Sequence, residues 1–153
     1  MQCRYVKVEE AELLAPMNYQ LIVDEGHRNP MDVEALVTRM RTWLSQEYKA
    51  VVFEESGKVL GYALYKFDTE FVYLRHLFVL PQYRLNGVGR AAIDWLRANS
   101  WQHLHRVRIE VLSGNVEAHK FWRSLGFEDY AITMELEASL VNKRLQSAAQ
   151  ART

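Results

Sequence analysis

The stretch FVYLRHLFVLPQYRLNGVGRAAIDWL, residues 71–96, decides how this chain folds. Its first half is a run of apolar, β-branched and aromatic residues, which predicts a strand that ends before Pro81. A basic turn that contains two glycines follows at residues 84–90, and a helical pattern begins at Val88. Five apolar residues share one face of that helix, namely Val88, Ala91, Ala92, Trp95 and Leu96. The order is therefore strand, glycine turn and helix.

The glycine turn has the chemistry of an anion-binding site. The first turn of a helix leaves backbone N–H groups without partners, and the helix dipole puts partial positive charge there. Glycines let a phosphate approach the backbone closely, and Arg84 and Arg90 add full positive charges. We interpret the turn as a candidate cradle for a pyrophosphate. The alternative is a plain tight connection between a strand and a helix.

Two other phosphate-binding motifs do not fit this turn. A nucleotide P-loop requires a Lys-Ser or Lys-Thr pair, and none follows here. A dinucleotide-binding fingerprint requires a third glycine at position 92, where this chain has Ala92, and no βαβ repeat begins with it.

Two motifs resemble those of a known family. Arg84-x-x-Gly87-x-Gly89, placed after a strand that ends Leu77-Phe78-Val79 and a Pro81-Gln82-Tyr83 turn, resembles the acetyl-CoA signature of the GNAT superfamily of N-acetyltransferases. Downstream, Asn115-x-x-Ala118-x-x-Phe121-Trp122-x-x-Leu125-Gly126-Phe127 is similar to the next helix of that family. Two motifs at compatible spacing are more specific than either alone, and the resemblance extends over residues 4–136.

Composition limits the compartment and the partners of this chain. With 153 residues, of which 49% are hydrophobic and 25% charged, it is long enough for one domain with a sizeable core. Lys plus Arg and Asp plus Glu both number 19, which argues against nucleic acid or an anionic membrane as the main partner. Cys3 is the only cysteine, which fits a reducing compartment. Since we find no signal peptide and no apolar run long enough to span a membrane, we expect a cytoplasmic protein.

The order of the remaining elements predicts an α+β fold. We expect one domain over residues 1–137, with a mixed, mostly antiparallel central sheet flanked by helices on both faces, similar to the GNAT fold. Residues 138–153 would form a C-terminal tail that extends as a helix to about Ala148, frays or packs on a second subunit. The predicted strands are 3–8, 50–53, 59–67, 71–79, 107–112 and a last one that carries Tyr130, Ile132, Met134 and Leu136 on one side. The predicted helices are 9–26 with an interruption at Pro16, one capped by Asn29 that ends near Gln46, one from Val88, and one over about 115–125.

The resemblance implies that acetyl-CoA is the co-substrate, with no metal. Backbone groups of Phe78 and Val79 would pair with the pantetheine amides, and backbone N–H groups of residues 84–90 would hold the pyrophosphate. Asn115 would either face the cofactor or serve only as a helix cap. The implied cofactor-binding residues are Phe78, Val79, Arg84, Leu85, Asn86, Gly87, Val88, Gly89, Arg90, Asn115 and Trp122.

N-acetyl transfer also needs a base, an oxyanion donor and a proton source for the leaving thiolate. The amine must lose a proton before it attacks, and His76 or Glu110 is a candidate general base, each with a structural role as the alternative. The resemblance gives the backbone N–H of Val79 as the oxyanion donor. Trp122 stands where the family usually has a tyrosine acid, and an indole cannot transfer a proton near neutral pH. A non-catalytic acyl-CoA binding or sensing domain is therefore an alternative function.

The acceptor is predicted only as a class, a primary amine of a small molecule or peptide. In the family, the first two helices and their connection set acceptor specificity, and here that region contributes Tyr19, Asp24, Glu25 and His27. Asp24 and Glu25 would attract a cationic amine, whereas Arg75 would favour an acceptor with a carboxylate. Family analogy also suggests self-association, as a homodimer. The remaining alternative is a partner-binding module that uses the fold without binding CoA.

Overall fold

The computed structural model describes residues 1–103 and 106–152, with backbone alone at residues 140 and 141. Its strands are β1 (Gln2–Tyr5), β2 (Tyr48–Glu55), β3 (Lys58–Phe67), β4 (Phe71–Val79) and β5 (Arg106–Arg108). Its helices are α1 (Ala11–Glu25), α2 (Val33–Ser45), α3 (Val88–Asn99), α4 (Val116–Ser124) and α5 (Ala138–Ala151). Short 3-10 turns lie at Val8–Glu10 and Pro81–Tyr83. The chain forms two compact units, Met1–His119 and Lys120–Thr153, and the predicted domain boundary after residue 137 stays a prediction.

The sheet in the first unit is mixed and mostly antiparallel, as predicted. Its strands lie in the order β1-β2-β3-β4-β5, and each pair is antiparallel except β4 and β5, which are parallel. The turn between β2 and β3 falls at Ser56 and Gly57, and both residues have positive φ angles, 51° and 75°. Such short connections explain why β2, β3 and β4 are neighbours in the sheet.

Helices cover both faces of this sheet. On one face, Leu14 and Leu21 of α1 and Met40 of α2 are buried against Tyr62 and Phe78. On the opposite face Trp101, which follows α3, packs edge-on against Tyr65 with ring centroids 5.4 Å apart. Successive side chains of a strand point to opposite faces of the sheet. Because both faces are covered, the nearly continuous apolar runs of β2 and β3 are buried on both sides. The predicted α+β class is confirmed.

A β-bulge interrupts the pairing of β3 with β4. Leu64 pairs with His76 and the next residue of β3, Tyr65, pairs with Leu74, so Arg75 is an extra residue in β4. A bulge shifts the alternation of side chains by one position. As a result Tyr73 before the bulge and Phe78 after it both pack on the α1–α2 side, although one has an odd and the other an even number.

Several helix boundaries differ from the predicted ones for identifiable reasons. Helix α1 begins at Ala11 and runs through Pro16, which lies among the buried residues Leu14, Ala15 and Met17. Burial of this apolar stripe offsets the roughly 3 kcal/mol that a proline costs inside a helix. The cap of α2 is Asp32, whose Oδ1 accepts from the Ala35 N–H at 2.8 Å. Asn29, the predicted cap, instead accepts from the N–H of Met31 at 3.0 Å.

The predictions for the last third of the chain are partly wrong. Strand β5 has only three residues, so Glu110 lies beyond it. No strand forms in residues 128–137, and Tyr130, Ile132, Met134 and Leu136 are 80%, 85%, 88% and 74% exposed. Alternation alone indicated a strand there, but a strand also needs a neighbour for its backbone groups. The tail does contain a helix, α5, which ends three residues beyond the predicted Ala148; Thr153 lies outside the described residues.

Among the described helices, none combines the length and the apolar character that a membrane crossing requires.

Candidate functional site

A gap opens beside β4 because the three residues of β5 pair only with the first three residues of β4. Phe71, Val72 and Tyr73 pair with residues 106–108, and the six following residues of β4 have no strand on that side within the described part of the chain. The backbone of β4 therefore has an open edge that leads toward the glycine turn.

The hydrogen-bond alternation of an antiparallel pair decides which backbone groups face this gap. The N–H of Leu80 donates to the Leu60 carbonyl at 2.8 Å, and the register continues with Gly61 opposite Val79 and Tyr62 opposite Phe78. Bonded and non-bonded pairs alternate, so the N–H groups of Val79 and Leu77 point into the gap. Phe78 points its backbone at β3, and a Cβ on Gly61 would lie 2.0 Å from the Phe78 carbonyl oxygen. Leu77 rather than Phe78 thus has its backbone directed at the gap, and the pantetheine role predicted for Phe78 stays a prediction.

The glycine turn ends in the first turn of α3, as the sequence predicts. Gly87 is the residue before the helix, and its φ of 78° lies in the left-handed region that favours glycine. The N–H of Ala91 donates to the Gly87 carbonyl at 3.0 Å, which is the first hydrogen bond of the helix. The N–H groups of Val88 and Gly89 come before it and therefore have no acceptor within the helix. Leu85 also has a positive φ, 63°, and is fully exposed. These features form the geometry of an anion cradle.

Arg84 is held by protein groups rather than extended toward the cradle. Its Nη2 lies 2.7 Å from Asp24 Oδ2, and its Nε donates to the Val79 carbonyl at 2.7 Å. Burial alone would raise the pKa of Asp24, but hydrogen bonds from Arg84 and Gln20 outweigh it and lower the pKa. The carboxylate of Asp24 is thus paired with a cation of the chain, and Arg84 joins the end of α1 to the end of β4. Arg90, the other predicted phosphate-binding arginine, lies in the first turn of α3.

A cleft of about 600 Å³ adjoins this end of β4. Asp24 lines this cleft and forms an ion pair with Arg84, which donates a hydrogen bond to the Val79 carbonyl. Half-buried Glu25 also lines the cleft, and its carboxylate lies 2.7 Å from Nε2 of His27. Burial raises the pKa of Glu25, while the hydrogen bond from His27 works in the opposite direction. The cleft is lined by Asp24, Glu25, Leu112, Gly114, Asn115, Val116 and Glu117.

A second group of residues surrounds the indole of Trp43 in α2, and the sequence predicted only Arg75 and His76 among its members. The guanidinium carbon of Arg39 lies 4.2 Å from the centre of this ring, and that of Arg75 lies 4.5 Å from it. The rings of His76 and Tyr48 are 5.8 Å and 5.1 Å away. One signal was present in the sequence, because Arg39 and Trp43 are four residues apart on one helix face.

His76 does not keep the pKa on which its predicted role as a base depends. Its Nδ1 lies 2.9 Å from the hydroxyl of Tyr62, a buried residue that the sequence also missed. Burial, together with the positive charges of Arg75 and Arg39, lowers the pKa of His76 to about 3. Burial raises the pKa of the Tyr62 hydroxyl. At neutral pH this pair is therefore uncharged and a weak proton acceptor.

The remaining predicted residues lie in different surroundings. The Oδ1 of Asn115 accepts from the N–H of Ala118 at 3.2 Å, so Asn115 caps α4 and also lines the cleft. Exposed Glu110 lies close to Tyr73, whose pKa is raised by burial first and then by this carboxylate. Tyr19 is 44% exposed, while Asn18 beside it is fully buried. In the second unit Trp122 packs between Phe121 and Phe127, at 4.9 Å and 5.0 Å, and its predicted cofactor role stays a prediction.

No group of three or more His, Cys, Asp or Glu side chains within residues 1–103 and 106–152 is arranged to hold a metal ion.

Comparison with known proteins finds one family. The family model described as the acetyltransferase (GNAT) family matches residues 16–127. No curated protein matches the chain significantly.

Solved structures share the fold at low sequence identity. A possible acetyltransferase from Clostridium difficile 630 has a TM-score of 0.75 and 17% identity, over 89% of this chain and 95% of that one. A predicted acetyltransferase from Clostridium acetobutylicum, solved with acetyl-CoA, has a TM-score of 0.72 and 17% identity, over 89% and 95%. The aminoglycoside N-acetyltransferase AAC(6')-Iy in complex with CoA has a TM-score of 0.71 and 18% identity, over 89% and 93%.

Proposed function

The chain belongs to the GNAT acetyltransferase family, and on that premise we propose that it moves an acetyl group from acetyl-CoA to a primary amine of a small molecule or peptide. The observation that carries the proposal is the open edge of β4, where Leu77 and Val79 turn their backbone groups toward a gap that leads to the cradle at Gly87. An extended chain of amides can pair with such an edge as an added strand does.

Acetyl-CoA would extend along this site, with its pyrophosphate at the start of α3 and its pantetheine along the open edge of β4. Its pyrophosphate would accept from the N–H groups at the start of α3, with Arg90 nearby. Its pantetheine amides would pair with the backbone of Leu77 and with the second lone pair of the Val79 carbonyl oxygen. Two of the similar structures were solved with CoA or acetyl-CoA bound. Arg84 would act by fixing the turn through Asp24 and the Val79 carbonyl rather than by binding the phosphate itself.

Transfer would proceed by direct attack of the amine in a ternary complex. The Val79 N–H would stabilise the negative charge that develops on the thioester oxygen as the new C–N bond forms. The C–S bond then breaks, its electron pair leaves on the CoA thiolate, and the amine gives its surplus proton to a base. No covalent bond to the protein is required.

Glu25 is the base that the surroundings favour. It lines the cleft beside β4, and burial raises its pKa toward the range in which a carboxylate accepts a proton efficiently near neutral pH. Glu110, near Tyr73 at the start of the gap, is the second candidate. We assign His76 a positioning role, in which it holds the hydroxyl of Tyr62.

Trp122 favours a second function, acyl-CoA binding without turnover. It occupies the position that matches the family's usual tyrosine, and its indole cannot protonate the leaving thiolate. The CoA thiolate would then leave with its proton supplied by water, or transfer would be too slow to matter.

We also propose a cytoplasmic location and self-association as a homodimer. Support for the homodimer comes from Ile132, Met134 and Leu136, which lie in one segment of the second unit and are 74–88% exposed. Apolar side chains repeated at this exposure are typical of surfaces that meet a partner.

Calorimetric titration with acetyl-CoA and with CoA tests the function first. Binding followed by thiol release with a panel of primary amines would support the N-acetyltransferase. Tight binding without thiol release across the panel would support the binding domain instead. No binding to a folded sample would remove both.

A further inference from the structure

Two cations of the first unit converge on one aromatic ring in the layer of α1 and α2. Arg39 of α2 and Arg75 of β4 come from different elements, and both guanidinium groups lie within 4.5 Å of the centre of the Trp43 ring. Burial, and then the like charge of Arg75, lowers the pKa of Arg39. An aromatic face offsets part of this cost, since each cation–π contact contributes about 0.5–2 kcal/mol.

Neither arginine is paired with a carboxylate within the described residues. Arg39 donates from Nη2 to the side-chain oxygen of Asn18 at 3.1 Å, and Arg75 donates from Nη1 to the hydroxyl of Tyr48 at 3.3 Å. Both acceptors are neutral groups. Other arginines of this chain do have carboxylate partners, for example Arg4 with Glu10 at 2.9 Å.

The group also holds more hydrogen-bond donors than acceptors. Asn18 Nδ2 and Arg39 Nε are both buried and have no hydrogen-bond partner. Buried donors are almost always paired in folded proteins, so two unpaired donors on bonded neighbours need an explanation. His76 and Tyr62 bond to one another and add no negative charge. What this group lacks is an anion.

The positive charge is accessible and lies next to the proposed site of transfer. Arg75 is exposed, and it precedes Leu77, whose backbone faces the gap, by only two residues. Burial, and in addition the negative charge of Glu25, raises the pKa of the Tyr62 hydroxyl, which is hydrogen-bonded to His76. A ligand that extends from Glu25 in the cleft toward the exposed Arg75 could therefore meet a carboxylate at one end and a guanidinium group at the other.

We propose that the acceptor amine also carries a carboxylate, and that Arg75 and Arg39 beside Trp43 bind that carboxylate. This inference rests on the proposed acetyl transfer and names its substrate class, amino carboxylates. It also resolves the conflict between the acidic and the basic residues in this region. Asp24 is neutralised by Arg84, so Glu25 remains for the ammonium end of the acceptor and the two arginines remain for its anionic end. Planar guanidinium groups match a carboxylate in geometry as well as in charge.

The test compares matched acceptors on the wild-type protein with saturating acetyl-CoA. Glycine, β-alanine, γ-aminobutyrate and a glycyl dipeptide are each assayed beside their carboxamides, with 2-aminoethylphosphonate as a separate anion, by thiol release and by mass of the product. We expect kcat/KM for at least one carboxylate to exceed that of its carboxamide about tenfold or more, as loss of a charge-assisted contact implies. Equal rates within every pair, or a preference for the phosphonate, would overturn the carboxylate assignment.

The variant Arg75→Gln links any preference to this group of residues. Arg75 is the exposed extra residue of the bulge, and glutamine can still donate to Tyr48, so the fold is expected to persist. KM for the carboxylate should rise about tenfold and KM for its carboxamide should not change. Lys58→Gln, at the first residue of β3, removes an exposed cation elsewhere and should change neither value. A carboxylate preference that survives Arg75→Gln would mean that the arginines serve only to hold α2 against β4.

The outcome also separates this inference from the function on which it rests. If acetyl-CoA binds and amines are acetylated without regard to a carboxylate, the substrate class falls and the acetyl transfer stands. If acetyl-CoA does not bind, the proposed function falls. Simple carboxylates that carry no amine give a second readout, since they should inhibit the wild type competitively against the amine and inhibit Arg75→Gln much less. Equal inhibition of the two proteins would overturn the inference.

Discussion

Arg75 and His76 are consecutive in the chain, yet both side chains contact the indole of Trp43, at 4.5 Å and 5.8 Å from its centre. In a regular strand two consecutive side chains point to opposite faces of the sheet. Here Arg75 is the extra residue of a bulge, which turns both toward the layer of α1 and α2. The same bulge lies two residues before Leu77, where the backbone of β4 faces the gap. One local irregularity thus brings a cation, a neutral imidazole and the open strand edge together.

Gly89→Asp tests the cradle. Gly89 is the second residue of α3, and its φ is not positive, so a side chain there causes no backbone strain, whereas Gly87 has a φ of 78°. An aspartate would place negative charge where the pyrophosphate should bind, and we expect acetyl-CoA to bind at least ~10-fold more weakly. Calorimetry measures the change.

Gly89→Asn is the matched control for this experiment. It has almost the same shape without the charge, and it should bind acetyl-CoA more tightly than Gly89→Asp does. Both variants should keep the thermal midpoint of the wild type, because either residue is tolerated in the first turn of a helix. If Gly89→Asp bound acetyl-CoA as the wild type does, the cradle would have to lie elsewhere.

Glu25→Gln and Asp24→Asn separate two adjacent carboxylates of the cleft. Glu25 is the proposed base, so its amide should lower kcat by ~10²-fold or more and remove the acidic limb of the pH–rate profile. Asp24 is bonded to Arg84 at 2.7 Å, so its amide should act on the turn and change kcat for the amine by no more than about threefold. Steady-state kinetics on both variants gives the answer. Similar losses in kcat would contradict the separate roles, and an intact kcat in Glu25→Gln would favour Glu110.

The stability of the protein should depend on pH through His76. Its pKa is lowered to about 3 by burial and by the charges of Arg75 and Arg39, whereas an unfolded chain has an ordinary histidine near ~6.5. Between these values the unfolded state binds more protons, so this contribution is full above the ordinary pKa and is lost as the pH falls toward 3. At a pH of about 5 the loss should reach about 2 kcal/mol.

Urea unfolding of wild type and His76→Asn at neutral and acidic pH measures this effect. The variant should lose less unfolding free energy than the wild type on acidification. His103→Asn, at an exposed histidine, is the control and should behave as the wild type does. Parallel losses in wild type and His76→Asn would show that His76 is protonated in the folded protein.

Gly61→Ala should displace the end of β4. A Cβ on Gly61 would lie 2.0 Å from the carbonyl oxygen of Phe78, which is backbone and cannot rotate away. We expect a loss of unfolding free energy of about 2 kcal/mol, as in other cases of overpacking, together with weaker acetyl-CoA binding. Gly114→Ala, where a Cβ meets nothing within 4 Å, is the control for stability. Equal stability of the two variants by urea unfolding would contradict the close approach of β3 and β4.

Met134→Glu tests the proposed self-association. Met134 is 88% exposed in the wild type, so the charge should not disturb its own chain. If residues 132–136 meet a second copy, the buried charge should shift the protein toward monomer in light scattering. Thr133→Glu, at the exposed neighbour on the opposite side of an extended segment, should retain the wild-type mass. A wild type that is monomeric at all concentrations would refute the homodimer.

Local patterns were sufficient for the centre of this fold. The apolar run at residues 71–79, the positive φ at Gly87 and the amphipathic pattern from Val88 are properties of neighbouring residues, and the structure has β4, the turn and α3 where the sequence predicts them. The antiparallel order of β2, β3 and β4 followed from the short connections between these strands, and the helical connection before β5 allows the parallel pair. The last predicted strand failed because alternation at residues 130–136 says nothing about whether a neighbouring strand is present.

Tertiary structure alone decided how the site is assembled. Asp24 and Arg84, two residues that the sequence predicts to bind ligands, are paired with one another across 60 positions of the chain. Arg39, Trp43, Tyr62 and His76 come from three elements, and a bulge set the side on which Arg75 and His76 lie. Propensity and periodicity act over a few residues, whereas charge pairing, burial and the pKa of His76 depend on residues that are distant in sequence. The sequence by its own patterns therefore determined the cradle, and the three-dimensional packing determined which charges remain for an acceptor.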